Sequence, residues 1–255
     1  MSEIPYAELV DERPKPWGFW ATMGLSLVVI ALSWVIQSAV AIGLIVVACL
    51  DDPGFNVDRF VDEELYSGLL LSLATWTALP ACLGLIWLLA RCRRGWSARN
   101  YLALDDVSGK TAALWLFLAV VLAACTDGFT HALGRPIVPE FMVQVYKTAG
   151  WLPLLVLTLV VAAPLFEEIL IRGFMFRGIA SSRLGGLGAI LITDVIWTAM
   201  HVQYDLFGMG VIFAIGILLG LARLVTGSVW LTIVMHALLN LIATIEVMVY
   251  VNQSA

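Results

Sequence analysis

Charge is what this sequence has least of: 13% of its 255 residues are Asp, Glu, Lys or Arg, only three are histidine, and 61% are hydrophobic. Soluble domains carry about a quarter charged residues, so a water-exposed globular fold is excluded and the chain is read as an integral membrane protein. The few Arg and Lys are spread over short loops rather than gathered on one face, which leaves no nucleic-acid footprint. Cysteine is scarce too. Cys49, Cys82, Cys92 and Cys125 lie ten or more residues apart, with no C-x-x-C pair and no clustered histidines, so they are read as small buried hydrophobes without a redox or metal role. A basic signal-peptide start is missing, since residues 1–16 carry four acids and three prolines; a short polar tail followed by a retained first anchor is expected.

What is present is a series of long apolar runs. Gly18 to Leu50 has no charge at all and exceeds the ~20 residues of a straight span, so it should tilt or overhang, with Trp17, Trp20 and Trp34 as interface or lipid-facing anchors. Six acids and one arginine fill Asp51 to Glu64, a solvated loop by composition. Tyr66 to Ala90 is the second span, with Pro80 a kink, and Thr111 to Thr126 a short third. Ile137, Val138, Phe141, Met142 and Val145 share one helical face, which predicts an interfacial helix. Trp151 to Ile179 reads as a fourth span, Leu187 to Tyr204 as a fifth, Phe207 to Ala222 as a sixth and Val229 to Val251 as a seventh. The expected fold is therefore all-α: about seven transmembrane helices around a buried polar cavity. Its parts are a polar tail (1–16), N-terminal membrane helices (17–150) and a second membrane domain (151–251). Lys and Arg divide eleven to three between the two ends of such a bundle; the positive-inside rule then puts the N-terminus, and a cavity mouth near Arg172 and Arg177, in the cytoplasm.

The chemistry-bearing stretch is PLFEEILIRGFMFRG, Pro164 to Gly178. A charge near the bilayer centre costs roughly 2.5–3.5 kcal/mol on insertion scales, so ionisable groups there face a bundle interior. Glu168 and Arg172 are i,i+4 neighbours on one helix face, whereas Glu167 points about 100° away. That spacing gives Glu168 a built-in cation and leaves Glu167 as the candidate general base; a purely structural ion-pair knot is the other reading. Two of the three histidines fall in expected spans, His201 four residues after Trp197 and His236 four residues before Asn240, so three helices each present a polar pair able to converge. Upright helices would put His236 about 10 Å and His201 about 20 Å from the starts of their spans, a mismatch that tilt or a displaced helix start would have to close.

In order and spacing these residues resemble the CaaX-processing and bacteriocin-processing intramembrane endopeptidases, the CPBP or Abi family, over about Pro164 to Ala243. Glu167, Glu168 and Arg172 fit its E-E-x-x-x-R motif, His201 the histidine of F-x-x-x-H, and His236 with Asn240 its H-x-x-x-N; GILLGLARLVTGSVW, Gly216 to Trp230, is similar to its glycine-containing helix and Thr-Gly-Ser turn. Trp197 stands where the family usually has phenylalanine. The resemblance implies that Glu167 and His236 activate a water, that His201 and Asn240 donate to the oxyanion, and that Arg172 with Glu168 orders the site and holds a substrate carboxylate.

Asp194 is an extra intramembrane acid, placed to orient His201, to pair with an arginine, or simply to line its helix. Cofactors stay open: Glu167, His201 and His236 form a ligand set of the kind that holds catalytic zinc, though H-E-x-x-H is absent. The function expected is hydrolysis of peptide bonds in membrane-associated substrates, of CaaX or leader-peptide type. The partners expected are membrane lipid and a peptide or protein substrate, with no nucleic acid, while Gly216 and Gly220 form a small-residue face for packing within or between chains. A non-catalytic scaffold or immunity-type binder, or a carboxylate-using transporter, is the competing class.

Overall fold

Helices form where the apolar runs are and stop where polar caps intervene. The computed structural model describes residues 14–52, 54, 56–57 and 67–253, and among them every regular element is helical. Helix α1 is Phe19–Asp51, α2 Gly68–Arg91, α3 the single turn Ala98–Tyr101, α4 Gly109–Ala132 and α5 Glu140–Lys147. Helix α6 is Leu152–Ala180, α7 Gly185–Ala199, α8 Leu206–Thr226 and α9 Val229–Gln253. Ser67, Ser108 and Asp205 accept from the N–H groups of Leu70, Thr111 and Gly208, so α2, α4 and α8 each begin on a side-chain cap. Gly227, at φ 73°, ends α8 with the left-handed turn that suits glycine.

Six of these helices, α1, α2, α4, α6, α8 and α9, are long and apolar enough to cross a membrane, and α7 is a shorter apolar helix of 15 residues. The chain is a multi-pass membrane protein of about seven helices. The fifth expected span, Leu187 to Tyr204, is the one that is cut short, because α7 stops at Ala199. The polar tail expected before Pro14 and most of the acidic loop fall outside the described residues.

Contacts between the connections mark the two ends of the bundle. At one end, Trp17 donates to Tyr101 Oη (3.3 Å) and to the Leu89 carbonyl (3.0 Å). Trp96 Nε1 donates to the Pro14 carbonyl, and Arg177 Nη2 to that of Asn100. This is the basic end, and α3 with its flanks seals it: Tyr101 and Leu102 are buried, and the Tyr101 ring packs 5.6 Å from Phe174 of α6. At the opposite end α5 lies across the mouths of the helices. Gly68 donates to Thr148 Oγ1 (2.9 Å), and Arg135 pairs with Asp205, its guanidinium 4.6 Å from the Phe207 ring centre. The interfacial helix expected from Ile137 onward begins at Glu140.

Helix α6 is not a uniform α-helix. Two stretches, Thr158–Ala162 and Ile169–Met175, are π-helical, with Ala163 N–H reaching back to the Thr158 carbonyl and Phe176 N–H to that of Ile171. Wide turns of this kind re-aim side chains within a helix and recur at functional sites. Here they bracket Glu167 and Glu168.

Close packing at the α2–α5 contact requires glycine at position 68. A Cβ there would lie 2.1 Å from the Val145 carbonyl oxygen, whereas one at Gly24 of α1 would meet nothing within 4 Å. Gly68→Ala should therefore destabilise the protein in detergent by about 1–3 kcal/mol, as over-packing does, while Gly24→Ala leaves the thermal midpoint unchanged or slightly raised; parallel melting curves check both.

Candidate active site

The candidate residues gather around one indole. Trp197, on the last turn of α7, is 2% exposed, and its Nε1 donates to Glu167 Oε2 at 2.5 Å. The Arg172 guanidinium lies 4.5 Å from its ring centre. The rings of His201 and His236 approach it edge-on at 4.9 and 5.4 Å. A phenylalanine here would keep the stacking but lose the donor to Glu167.

Glu168 and Arg172 form the buried pair that the i,i+4 spacing predicts, both 0% exposed, with Arg172 Nη1 donating to Glu168 Oε1 at 2.9 Å. The same oxygen is 3.0 Å from His236 Nδ1. A carboxylate can only accept, so Nδ1 carries the proton and Nε2 is the basic nitrogen. His236 is thus coupled directly to Glu168, a contact that spacing along the chain could not reveal. Arg172 Nη2 also donates to the Gly216 carbonyl (3.4 Å).

His201 lies just beyond α7 rather than inside a span. Its Nδ1 takes the Trp197 carbonyl at 2.8 Å, while its backbone N–H bonds Thr198 instead. The ring therefore occupies the acceptor that the next helical N–H would use, and α7 ends there without any Gly or Pro. The depth mismatch expected between the two histidines is bridged by Trp197, which touches both rings.

Asn240 Nδ2 donates to the Leu159 carbonyl at 2.8 Å. The reason is local to α6. In the π ladder Ala163 pairs with Thr158, so the next rung pairs position 164 with Leu159, and Pro164 has no N–H. Asn240 fills the gap that proline creates and ties α9 to the wide turn.

Asp194 is 1% exposed and neither of its oxygens has a hydrogen-bond partner among the described residues. It does not orient His201, whose Nδ1 is taken by Trp197. It lies against Gly216, where a Cβ would be 1.5 Å from its Oδ1, and its charge is met at longer range by Arg172. The Gly216 and Gly220 face packs within the chain, against Asp194 and Trp197 and against Ile190 of α7.

Glu167, Trp197, His201, His236 and Asn240 all line one cavity of about 730 Å³. Glu167 and His201 also border a recess of about 250 Å³ between α1, α2 and α6 that includes Ser33 and Gln37. The cavity is bounded by the end of α4, by α5 and by the 200–208 connection, and exposed Arg135, Glu140, Gln203 and Asp205 stand on its rim. Its mouth is therefore at the end opposite Arg177 and the N-terminus. The expectation of a mouth near Arg172 and Arg177 is corrected: the α3 segment closes that end. Sequence reading also passed over Tyr204, Asp127 and Glu246 as site residues. Tyr204 meets the Phe141 ring edge-on (4.7 Å), and burial pushes its hydroxyl up to about 12; Asp127 and Glu246 meet carboxyl to carboxyl across α4 and α9, and all three line the cavity.

A metal is a further possibility for Glu167, His201 and His236. No group of three His, Cys, Asp or Glu side chains able to hold a metal ion occurs among the described residues; Glu167 Oε2 bonds the Trp197 N–H and His236 Nδ1 bonds Glu168.

A family model described as Type II CAAX prenyl endopeptidase Rce1-like matches residues 149–242. Over these residues the chain is similar to that family. The match spans α6 to the middle of α9 and includes each residue gathered at Trp197. Among curated proteins, an Escherichia coli protein named only as an uncharacterized 24.3 kDa protein is 34% identical over 110 residues, 41% of this chain. The chain spans about half of that relative's length. No solved structure matches.

The Pro164, Leu159 and Asn240 arrangement makes a paired prediction. Asn240→Ala should cost about 1 kcal/mol by removing the donor to a half-buried carbonyl, and adding Pro164→Ala should recover part of it by restoring an N–H donor. Thermal melts of the two single variants and the double variant measure the coupling.

Proposed function

We propose that this protein is an intramembrane endopeptidase that hydrolyses peptide bonds of membrane-associated substrates with side-chain-activated water. The observation that carries the proposal is the pairing of two acceptors at one cavity wall, with Glu167 fixed by the Trp197 N–H and His236 fixed through Nδ1 by the buried Glu168–Arg172 pair. The Rce1-like match over the same residues supports it.

In this reading Glu167 Oε1 and His236 Nε2 are the groups left to accept protons. Water gives up a proton to this pair as its oxygen bonds to the scissile carbonyl carbon, the C–N bond then breaks, and the leaving nitrogen takes the proton back. The products are a carboxylic acid and an amine. The second amide hydrogen of Asn240 is available to the oxyanion. His201 could donate from Nε2 only as an imidazolium, because its Nδ1 proton is committed to Trp197. Glu168 and Arg172 are positioning residues, and no step is routed through a metal. Substrates of CaaX or leader-peptide type remain the reading the family supports. A scaffold or immunity-type binder would use the same polar cluster for stability alone.

These readings separate on conservative variants. Glu167→Gln should lower cleavage by roughly 10²–10⁴-fold with the melting curve unchanged, as measured by new peptide termini in membranes carrying the native protein but not the variant at matched abundance. A binder would show no such termini. Glu168→Gln leaves the buried Arg172 unpaired and should destabilise the fold by about 3–5 kcal/mol. Exhaustive chelation should leave cleavage intact; loss restored by zinc would overturn the metal-free step.

A further inference from the structure

Asp194 is a buried carboxyl group to which the reaction described above gives no task. It is 1% exposed, and neither oxygen has a hydrogen-bond partner among the described residues. A carboxylate held in that way costs stability, since burial strips its hydration and no donor replaces it. An apolar side chain of similar size would make the more stable fold, so the acid calls for a use in function. Its surroundings point to Arg172. A Cβ at Gly216 would lie 1.5 Å from Asp194 Oδ1 and 3.0 Å from Trp197 Cε3, and the Gly216 carbonyl accepts from Arg172 Nη2 at 3.4 Å. Arg172 also lies on the Trp197 ring, and its charge is the one that acts on Asp194. The guanidinium thus has two carboxyl groups about it, Glu168 in hydrogen-bond contact and Asp194 at longer range. Arg223, the other arginine buried among the described residues, is met by Asp105 instead.

At rest one carboxylate is enough for Arg172. During turnover it is not. Glu168 Oε1 is bonded to Arg172 Nη1 at 2.9 Å and to His236 Nδ1 at 3.0 Å. Once His236 Nε2 takes a proton from water, that single oxygen faces two cations. Arg172, Glu168 and protonated His236 then sum to a net positive charge in a dry interior, where an uncompensated charge is most costly. A second carboxylate beside Arg172 returns the cluster to neutrality.

Resting on the peptidase reading above, we propose that Asp194 is a positioning residue of the reaction, the counter-ion that answers Arg172 while Glu168 is engaged by protonated His236. It stabilises a charge that arises only on the way through the transition state. Its loss is therefore felt in kcat rather than in KM. The same carboxylate is a burden to the resting fold, which separates this role from packing.

Asp194→Asn keeps the shape of the side chain and removes its charge. The probe is a quenched-fluorescent peptide spanning a site at which the native protein, but not Glu167→Gln, creates new termini in membranes. With the purified full-length variant, kcat should fall roughly 10-fold or more at unchanged KM, while the melting midpoint holds or rises. An unchanged kcat, or an effect confined to KM, overturns the proposal and leaves the peptidase reading in place. Melting curves give a second test that needs no substrate. In a Glu168→Gln background Asp194 is the remaining carboxylate about Arg172, so there Asp194→Asn should lower the midpoint, the reverse of its effect in the native chain. A lower midpoint in both backgrounds marks a packing residue and overturns the counter-ion role. Native membranes that yield no termini beyond those of Glu167→Gln remove the peptidase reading and this role with it.

Discussion

A guanidinium buried completely inside a helical bundle must be answered, and Arg172 is at both of its Nη groups and its face, with only its Nε lacking a hydrogen-bond partner among the described residues. Glu168 supplies the charge, the Trp197 ring the face, and the Gly216 carbonyl a second acceptor. Taking an ion pair out of water costs several kcal/mol per charge unless geometry and further hydrogen bonds repay it. The repayment here is what organises the site: Glu168 in turn fixes the His236 ring, and Trp197 in turn holds Glu167. Gly216 must lack a side chain because Asp194 and Trp197 occupy the space beside it. Three helices are locked together by one cation.

The wide turns of α6 answer a second constraint. A helix carrying Pro164 beside two glutamates has to dispose of a carbonyl that proline cannot serve. Asn240 and the π ladder do so together, and the solution draws α9 against α6 at the level of the cavity. An amide that motif spacing marks out for chemistry is thus also a piece of the scaffold. Arg223 plays a comparable part further along, its Nε donating to the Arg172 carbonyl at 2.9 Å where the second wide stretch runs.

Much of this was readable from the residues. Long uncharged runs specify the membrane helices, and the i,i+4 offset of Glu168 and Arg172 specifies their pairing. What the sequence hides is non-local. The end of α7 depends on a His201 ring competing for the Trp197 carbonyl, which leaves no Gly or Pro as a signal. The Glu168–His236 contact links positions 68 apart. The location of the mouth depends on α3, a four-residue turn with too few apolar positions to announce itself, and on α5 lying across the opposite end. Charge counting ranks the two ends of the bundle but does not say which one is open, so N-terminus and mouth were assigned together where the fold separates them.

The brevity of α7 has a consequence for the lipid. Fifteen residues give a rod of about 22 Å, against a hydrocarbon layer of about 30 Å. The polar 200–205 connection therefore sits below the level of the surrounding headgroups, and lipid next to it must thin or bend inward. On that flank the bilayer surface dips toward Glu167 and His201. Bulk solvent is brought within a few ångströms of a position that, in a full-length span, would lie in dry hydrocarbon.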